Sequence, residues 1–291
     1  MAFLSRREGK IFFHVLGAPP KQSAVSTKGK KPFSKNNPPT ILMLRGLGRS
    51  SRYWLGFDKI MAKHFQVVTM DPRGVGRTTQ PMGWNDSIDD LADDCLAILD
   101  QIEAERFHVF GLSFGGMVGS AIAAKAPDRV QSLIIAASSS SDYRAFRVSA
   151  TLLPKLLFAL RQGRFQDALL AAVVPAHVLR SWGPEIQAAW QDILRAEGFP
   201  LITTLKQLRA AASHSLRGKF EDAEFPILFM HGSMDELCPI RNSQELNKVV
   251  PGSLLKVIKG AGHEIALGFE EDVSRIIREF ALGKKVVKER A

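Results

Sequence analysis

The sequence predicts an α/β fold: a mostly parallel sheet covered by helices on both faces, interrupted once by a block of helices. Three observations predict it. Short continuous apolar runs, "TILML", "QVVTM", "FHVFG" and "VQSLIIA", alternate with helical patterns, as strands buried on both faces do. From about 141 to 220 the alternation stops and four helical stretches follow one another. It then resumes with "FPILFMHG" and "SLLKVIKG", each followed by a helix.

Taken in order, "EGKIFFHVLG" reads as a first strand or hairpin. Residues 18–39 are rich in Pro, Lys and Ser and suit an exposed loop. "TILMLRGLG" is a buried strand ending in glycines. "YWLGFDKIMAKHF" carries Trp54, Phe57, Ile60, Met61 and Phe65 at helical spacing. "QVVTM" is a strand stopped by "DPRGVGRT". In "SIDDLADDCLAILDQIE", Ser87 is the expected N-cap and Asp90 takes the capping-box position three residues on. "FHVFG" is a strand, "FGGMVGSAIAAKAPD" a helix and "VQSLIIAAS" a strand. The helical block comprises "YRAFRVSATLLPKLLFALRQ", "RFQDALLAAVV", "EIQAAWQDILRAE" and "LITTLKQLRAAASHSL". No internal repeat or low-complexity tract interrupts this pattern.

Bulk properties narrow the function. The chain has 291 residues, 45% hydrophobic and 23% charged, ordinary for a globular protein of one large domain or two small ones. No uninterrupted apolar stretch reaches the ~18 residues of a membrane span. The opening "MAFLSRREGKIFFHVLG" lacks the arrangement of a signal peptide. Cys95 and Cys238 lie far apart without metal-type spacing, so reduced thiols in a cytoplasmic protein are expected. The net charge of +10 invites a nucleic-acid reading. Residues 1–40, however, hold eight basic residues against Glu8 alone, and "GKKVVKERA" is basic too. Charge gathered in loops and tails reads as solvated surface. No zinc-finger spacing, RNP motif or arginine-rich helix accompanies it, so no nucleic-acid partner is expected, and no metal or cofactor. The oligomeric state, monomer or homodimer, stays open.

The chemistry centres on "VFGLSFGGMVG". Ser113 stands at the joint of a strand and a helix, with Gly111 and Gly115 two residues either side, matching G-x-S-x-G in its proper setting. A turn this tight excludes large side chains at both positions and presents the serine Oγ at the sheet's carboxyl edge. The N–H of Phe114, at the helix N-terminus, is free to donate to an oxyanion. Serine needs a base. His263, in "IKGAGHEIALGF" after the last strand, is the candidate, with Asp235 in "HGSMDELCP" as its acid. The chain order is then Ser113, Asp235, His263.

These motifs resemble the α/β-hydrolase superfamily, in particular its small bacterial esterase-like members with a helical lid, and the resemblance covers nearly the whole chain. "DPRGVGRT" is similar to the family's D-x-R-G-x-G-x-S turn, with Thr78 for the usual serine. "LRGLGRSSRYW" occupies the oxyanion-loop position, with Arg45 where histidine is usual. The resemblance implies a mostly parallel, eight-stranded-type sheet flanked by helices, with 1–140 and 221–291 as the core and 141–220 as an inserted cap. It maps the second oxyanion donor onto the Leu47 N–H. It implies a serine hydrolase that cleaves a carboxylic ester or thioester of a small to medium hydrophobic acyl substrate without cofactor. C–C bond hydrolysis or lyase chemistry, cofactor-free perhydrolase or haloperoxidase chemistry, and a triad-bearing ligand receptor are the competing readings. Haloalkane dehalogenases and epoxide hydrolases of the fold carry aspartate at the elbow and fit less well.

Other residues have a plain reading beside the functional one. Arg45 either points away and pairs with a nearby acid or biases the pocket toward anionic acyl groups. His214 is a hinge or surface residue or faces the pocket. Trp182, with Trp190, Leu157 and Phe158, is expected in the lid core, some of them lining an acyl pocket; Trp182 is the candidate substrate contact. Asp71 and Arg73 read as a structural turn, His231 as a satisfied strand-end histidine, and Cys238 as packing.

Overall fold

The computed structural model of the protein describes residues 1–17, 38–143, 152–162 and 164–283. The expected loop at 18–39 lies, but for its last two residues, outside them, as do most of the basic C-terminal stretch and the side chain of Leu157. Eight strands form one sheet: β1 (Ala2–Ser5), β2 (Lys10–Leu16), β3 (Thr40–Leu44), β4 (Gln66–Met70), β5 (Phe107–Leu112), β6 (Val130–Ala136), β7 (Ile227–Gly232) and β8 (Leu254–Ile258). Their order is β1-β2-β4-β3-β5-β6-β7-β8. The β1–β2 hairpin and the β2–β4 pair are antiparallel and all other pairs are parallel. This is the mostly parallel sheet that the apolar runs predict. β3, β4, β5 and β7 are buried along their whole length, and β6 at every residue but Gln131.

Helices cover both faces. On one, α2 (Ile88–Gln101), α3 (Phe114–Lys125) and α8 (Arg241–Val249) bury Leu91, Ile98, Ala121, Ile122 and Leu246 against strand residues such as Leu42, Val68 and Val109. On the other, α1 (Phe57–Met61) and α9 (Glu270–Ala281) bury Phe57, Met61, Val273, Ile277 and Phe280 against Ile41, Val67 and Phe110. Each of the larger of these side chains, the leucines, isoleucines, valines, phenylalanines and Met61, contributes about 1.5–3 kcal/mol of burial free energy. The capping box of α2 forms as expected: the Asp90 N–H donates to Ser87 Oγ at 3.2 Å and the Ser87 N–H to Asp90 Oδ2 at 2.8 Å.

Two elements differ from the pattern. The helical spacing of "YWLGFDKIMAKHF" is divided between a 3₁₀ turn at Ser51–Trp54 and α1, because Leu55 and Gly56 take positive φ of 49° and 92°. Trp54, Phe57, Met61 and Phe65 are buried all the same. The third helix of the block starts earlier than "EIQAAW" suggests and runs through Pro184, an exposed position.

Between β6 and β7 the chain forms α4 (Leu152–Arg161), α5 (Phe165–Val173), α6 (Ala176–Glu197) and α7 (Leu201–Ala212). α5 and α6 share a third cluster, with Leu170, Val173, Val178, Ile186, Trp190 and Ile193 packed on Tyr53 and Leu267 from the loops after β3 and β8. Among the described residues no helix is long and apolar enough to cross a membrane.

Candidate active site

Parallel strands bring their carboxyl ends to one edge, and the loops after β3, β5, β7 and β8 meet there. Ser113 joins β5 to α3 with φ 56° and ψ −121°, a left-handed conformation rare for a side-chain-bearing residue and costing on the order of 1–3 kcal/mol. Its backbone is held on both sides. The Ser113 N–H donates to Ala136 O at 2.8 Å, and its carbonyl accepts from Ser138 Oγ at 2.7 Å and Gly116 N–H at 2.8 Å. A Cβ on Gly111 would land on the Gly115 carbonyl, and one on Gly115 on the Leu44 carbonyl. The turn is therefore tighter than the exclusion of large side chains requires.

Asp235 and His263 are brought together. His263 Nδ1 lies 2.9 Å from Asp235 Oδ2. Oδ1 of the same carboxylate accepts from the N–H groups of Leu237 and Cys238 at 2.9 and 2.8 Å. His231 adds a contact of 3.2 Å from Nε2 to Asp235 Oδ2. That nitrogen also lies 2.8 Å from the Cys238 carbonyl, which only accepts, so Nε2 carries hydrogen, and Nδ1 lies 2.7 Å from Ser243 Oγ. His231 is thus a satisfied histidine that props the acid. Burial alone would raise the Asp235 carboxyl. The His263 charge and the hydrogen bonds from His231 and His263 outweigh it and hold the acid well below its ordinary range. For His263 burial lowers the pKa, but the charge and hydrogen bond of Asp235 prevail and raise it.

Ser113 and the acid loop are physically linked. Ser138, whose hydroxyl holds the Ser113 carbonyl, accepts at its own carbonyl from Cys238 Sγ at 3.5 Å. Burial pushes the Cys238 thiol up to about 12, so it is a packing group. Ser113 Oγ is not hydrogen-bonded to His263 among the described residues; in unliganded enzymes such bonds are often long and tighten with substrate in place.

The turn after β3 completes the edge. A Cβ on Gly46 would lie 3.4 Å from Ser113 Cβ, so this turn abuts the serine directly. Phe114 opens α3, where an N–H has no intrahelical acceptor. Among the described residues no backbone or side-chain acceptor takes the Phe114 or Leu47 N–H. Arg45 pairs with Glu264, Nη2 lying 2.7 and 2.9 Å from the two carboxylate oxygens, and its guanidinium sits 4.6 Å from the centre of the Trp54 ring. Its charge is compensated inside the protein.

The remaining candidates separate. Asp71 is fully buried and accepts from Ser51, Arg77 and their backbone, while Arg73 pairs with Asp86 and Asp94: a structural turn. His214 is 5% exposed, so it is no surface residue; its Nε2 lies 2.7 Å from Ser120 Oγ on α3, which ties the end of α7 to the core. Trp190 is buried, but Trp182 and Phe158 are 58% and 63% exposed and lie outside the lid core expected of them. Sequence reasoning missed Glu264, Arg49 and Gln207. The signal for Glu264 is its place directly after His263. Gln207, on α7, has no local signal, yet its Oε1 accepts the Gly48 N–H at 2.7 Å. Among the described residues no cluster of His, Cys, Asp or Glu could hold a metal ion.

A family model described as alpha/beta hydrolase fold matches residues 39–269. A protein of Agrobacterium fabrum named "Putative carbamate hydrolase RutD" is 31% identical over 234 residues, 78% of this chain and 87% of its own. Among solved structures, an alpha/beta hydrolase from a Medee basin deep-sea metagenome superposes with a TM-score of 0.75 at 13% identity, covering 100% of both chains. The enol-lactonase of Burkholderia xenovorans superposes with a TM-score of 0.73 at 19% identity, covering 96% of this chain and 99% of its own. At these identities the two structures share the fold.

Proposed function

Because the chain belongs to the alpha/beta hydrolase fold family, whose model spans residues 39–269, we propose that it is a serine hydrolase acting on an ester or thioester through Ser113, His263 and Asp235. The observation that carries the reading is the 2.9 Å His263–Asp235 contact, beside the strained turn that bears Ser113. His263 takes the proton as Ser113 Oγ attacks the carbonyl. Asp235 fixes the imidazole tautomer and stabilises the imidazolium. The N–H groups of Phe114 and Leu47 receive the oxyanion, at ~3 kcal/mol per donor. The C–O or C–S bond then breaks, His263 protonates the leaving group, and water, deprotonated by His263, releases the acid from Ser113. The helices between β6 and β7 act in this reading as a cap over the acyl pocket.

A second reading, carbamate cleavage, is favoured by the name of the 31% identical relative. The same steps apply, with a carbamoyl group on Ser113. A turnover panel of p-nitrophenyl esters, thioesters and carbamates separates the two. Labelling with a fluorophosphonate is expected at Ser113. Ser113→Ala, His263→Ala and Asp235→Asn should each lower kcat by ~10³ or more, and the Ser113→Ala/His263→Ala pair should be scarcely worse than either alone. Multiplicative losses would refute a single machine, and one slow turnover with a lasting conformational change would favour a receptor. His263 must be neutral to act as base, and its pKa is raised. Hence kcat/KM should climb with pH through a midpoint above the ordinary histidine value of ~6.5. A midpoint below it would remove His263 from the role.

A further inference from the structure

The turn after β3 carries two buried arginines, Arg45 and Arg49, each 7% exposed. Glu264 neutralises Arg45. Arg49 has no carboxylate partner among the described residues. Its guanidinium lies against two rings that meet edge to face with centres 5.5 Å apart, 4.4 Å from the centre of Tyr53 and 4.2 Å from that of Trp190 on α6. Its Nη1 is buried and donates to nothing. Burial draws the Arg49 pKa down, against smaller opposing effects of Tyr53 and Glu264. A guanidinium nevertheless keeps its charge in proteins.

The neighbouring donors share this lack of acceptors. Arg45 Nε, Trp190 Nε1 and Gln207 Nε2 are buried without a partner. Gln207 touches the same turn through its bond from Gly48, and Trp190 through Arg49. Glu197 Oε1 is also without a hydrogen bond; its carboxylate lies 3.6 Å from Arg52. More than nine in ten buried polar groups in folded proteins are paired. Orphaned N–H groups on this turn and on the two helices that touch it, with one buried cation uncompensated, call for an acceptor from outside the chain. That turn is the one abutting Ser113: the Arg49 N–H donates to Gly46 O at 3.3 Å, and Gly46 faces the serine.

We infer that Arg49, with Gln207 and Trp190, forms an anion subsite, and that the substrate carries a carboxylate on its acyl portion. This rests on the serine-hydrolase reading of Ser113. The acyl side is assigned because the turn borders the oxyanion position, whereas the leaving group is the part His263 protonates. The guanidinium's edge matches a carboxylate's two oxygens, and its contacts with Tyr53 and Trp190 hold the group in place.

The test compares the p-nitrophenyl monoester of glutarate with p-nitrophenyl pentanoate, a neutral ester of equal chain length. The ratio of their kcat/KM values should fall tenfold or more in Arg49→Met and only partly in Arg49→Lys. An equal ratio in wild type and Arg49→Met, both folded and both labelled by fluorophosphonate, overturns the subsite and leaves the hydrolase reading intact. If wild-type Ser113 takes no label, the hydrolase reading falls. Calorimetry with glutarate then decides the subsite, with binding at least tenfold weaker in Arg49→Met expected and equal binding overturning it. If Arg49→Met does not fold, wild type alone decides: glutarate should bind at least tenfold more tightly than the neutral pentanamide, and equal or weaker binding overturns the inference.

Discussion

The helices α7 and α4 belong to the same insertion and differ in how they are attached. α7 is fastened to the core by its polar side chains. Gln207 accepts from Gly48 at 2.7 Å, Thr203 Oγ1 donates to Gly74 O at 3.2 Å, Lys206 Nζ to Met82 O at 2.6 Å, and Arg209 to Trp84 O. Its Ala210 and Ala211 are buried in the main core while Leu201, Ile202 and Leu205 are exposed. α4 packs chiefly on α5; Ala159 is buried there, and Phe158 is 63% exposed. The block between β6 and β7 need not move or matter as one body. α7 holds the turn after β3 in place. α4 is the part whose loss the core would feel least and, if the block caps the site as proposed, the part best suited to shape access.

The sharpest way to break this contrast is to loosen the turn from the opposite side. Arg45 and Glu264 tie it to the histidine loop. Glu264→Gln leaves a buried guanidinium uncompensated, and a loss of about 3–5 kcal/mol in unfolding free energy is expected. Arg45→Met/Glu264→Gln should recover most of it, since removing both partners leaves neither charge of the pair without its counterpart. A denaturant titration in which Glu264→Gln loses under 1 kcal/mol would show that the turn does not depend on this pair.

Next in size is Gln207 itself. Gln207→Ala strands the Gly48 N–H in a buried site, at about 1–3 kcal/mol of stability. It also frees Leu47, one residue away, from its fixed position. Loss of an oxyanion donor costs ~10²–10³ in kcat; a misplaced one should cost ~10-fold, falling on kcat rather than KM. Gln207→Glu, which keeps an acceptor, should restore part of it. If KM alone changes, α7 contributes to binding and not to the hole.

What the sequence disclosed divides along the same line. Strand, elbow and helix around Ser113 were legible because the signal is local: an apolar run, two glycines at fixed offsets, then small helical residues. Asp235 and His263 were legible as strand-end loops. Glu264 partnering Arg45 and Gln207 partnering Gly48 were not, because each contact joins residues more than 150 positions apart, and nothing periodic marks it. Trp182 shows a different limit. Its spacing from Val178, Ile186 and Trp190 puts it on the buried stripe of α6, yet it is 58% exposed. Helical spacing says which residues share a face, and not whether the fold supplies a surface opposite every turn. The division of "YWLGFDKIMAKHF" at Leu55 and Gly56 preserved its buried residues and lost only its continuity.

The smallest effect is expected at α4. Phe158 is exposed, so Phe158→Ser uncovers little that is not already in water, and surface changes of this kind stay within about 0.5 kcal/mol. The Tm should barely move and kcat for a short ester should stay within about twofold, because the exposed Phe158 phenyl carries no hydrogen-bonding group with which to hold the turn after β3. If α4 shapes access for the acyl chain, KM should rise for long acyl esters and hold for short ones, a difference that a chain-length series from acetate to decanoate reads directly. A uniform fall in kcat across the series would place α4 in the same mechanical unit as α7, and the contrast between the two ends of the insertion would collapse.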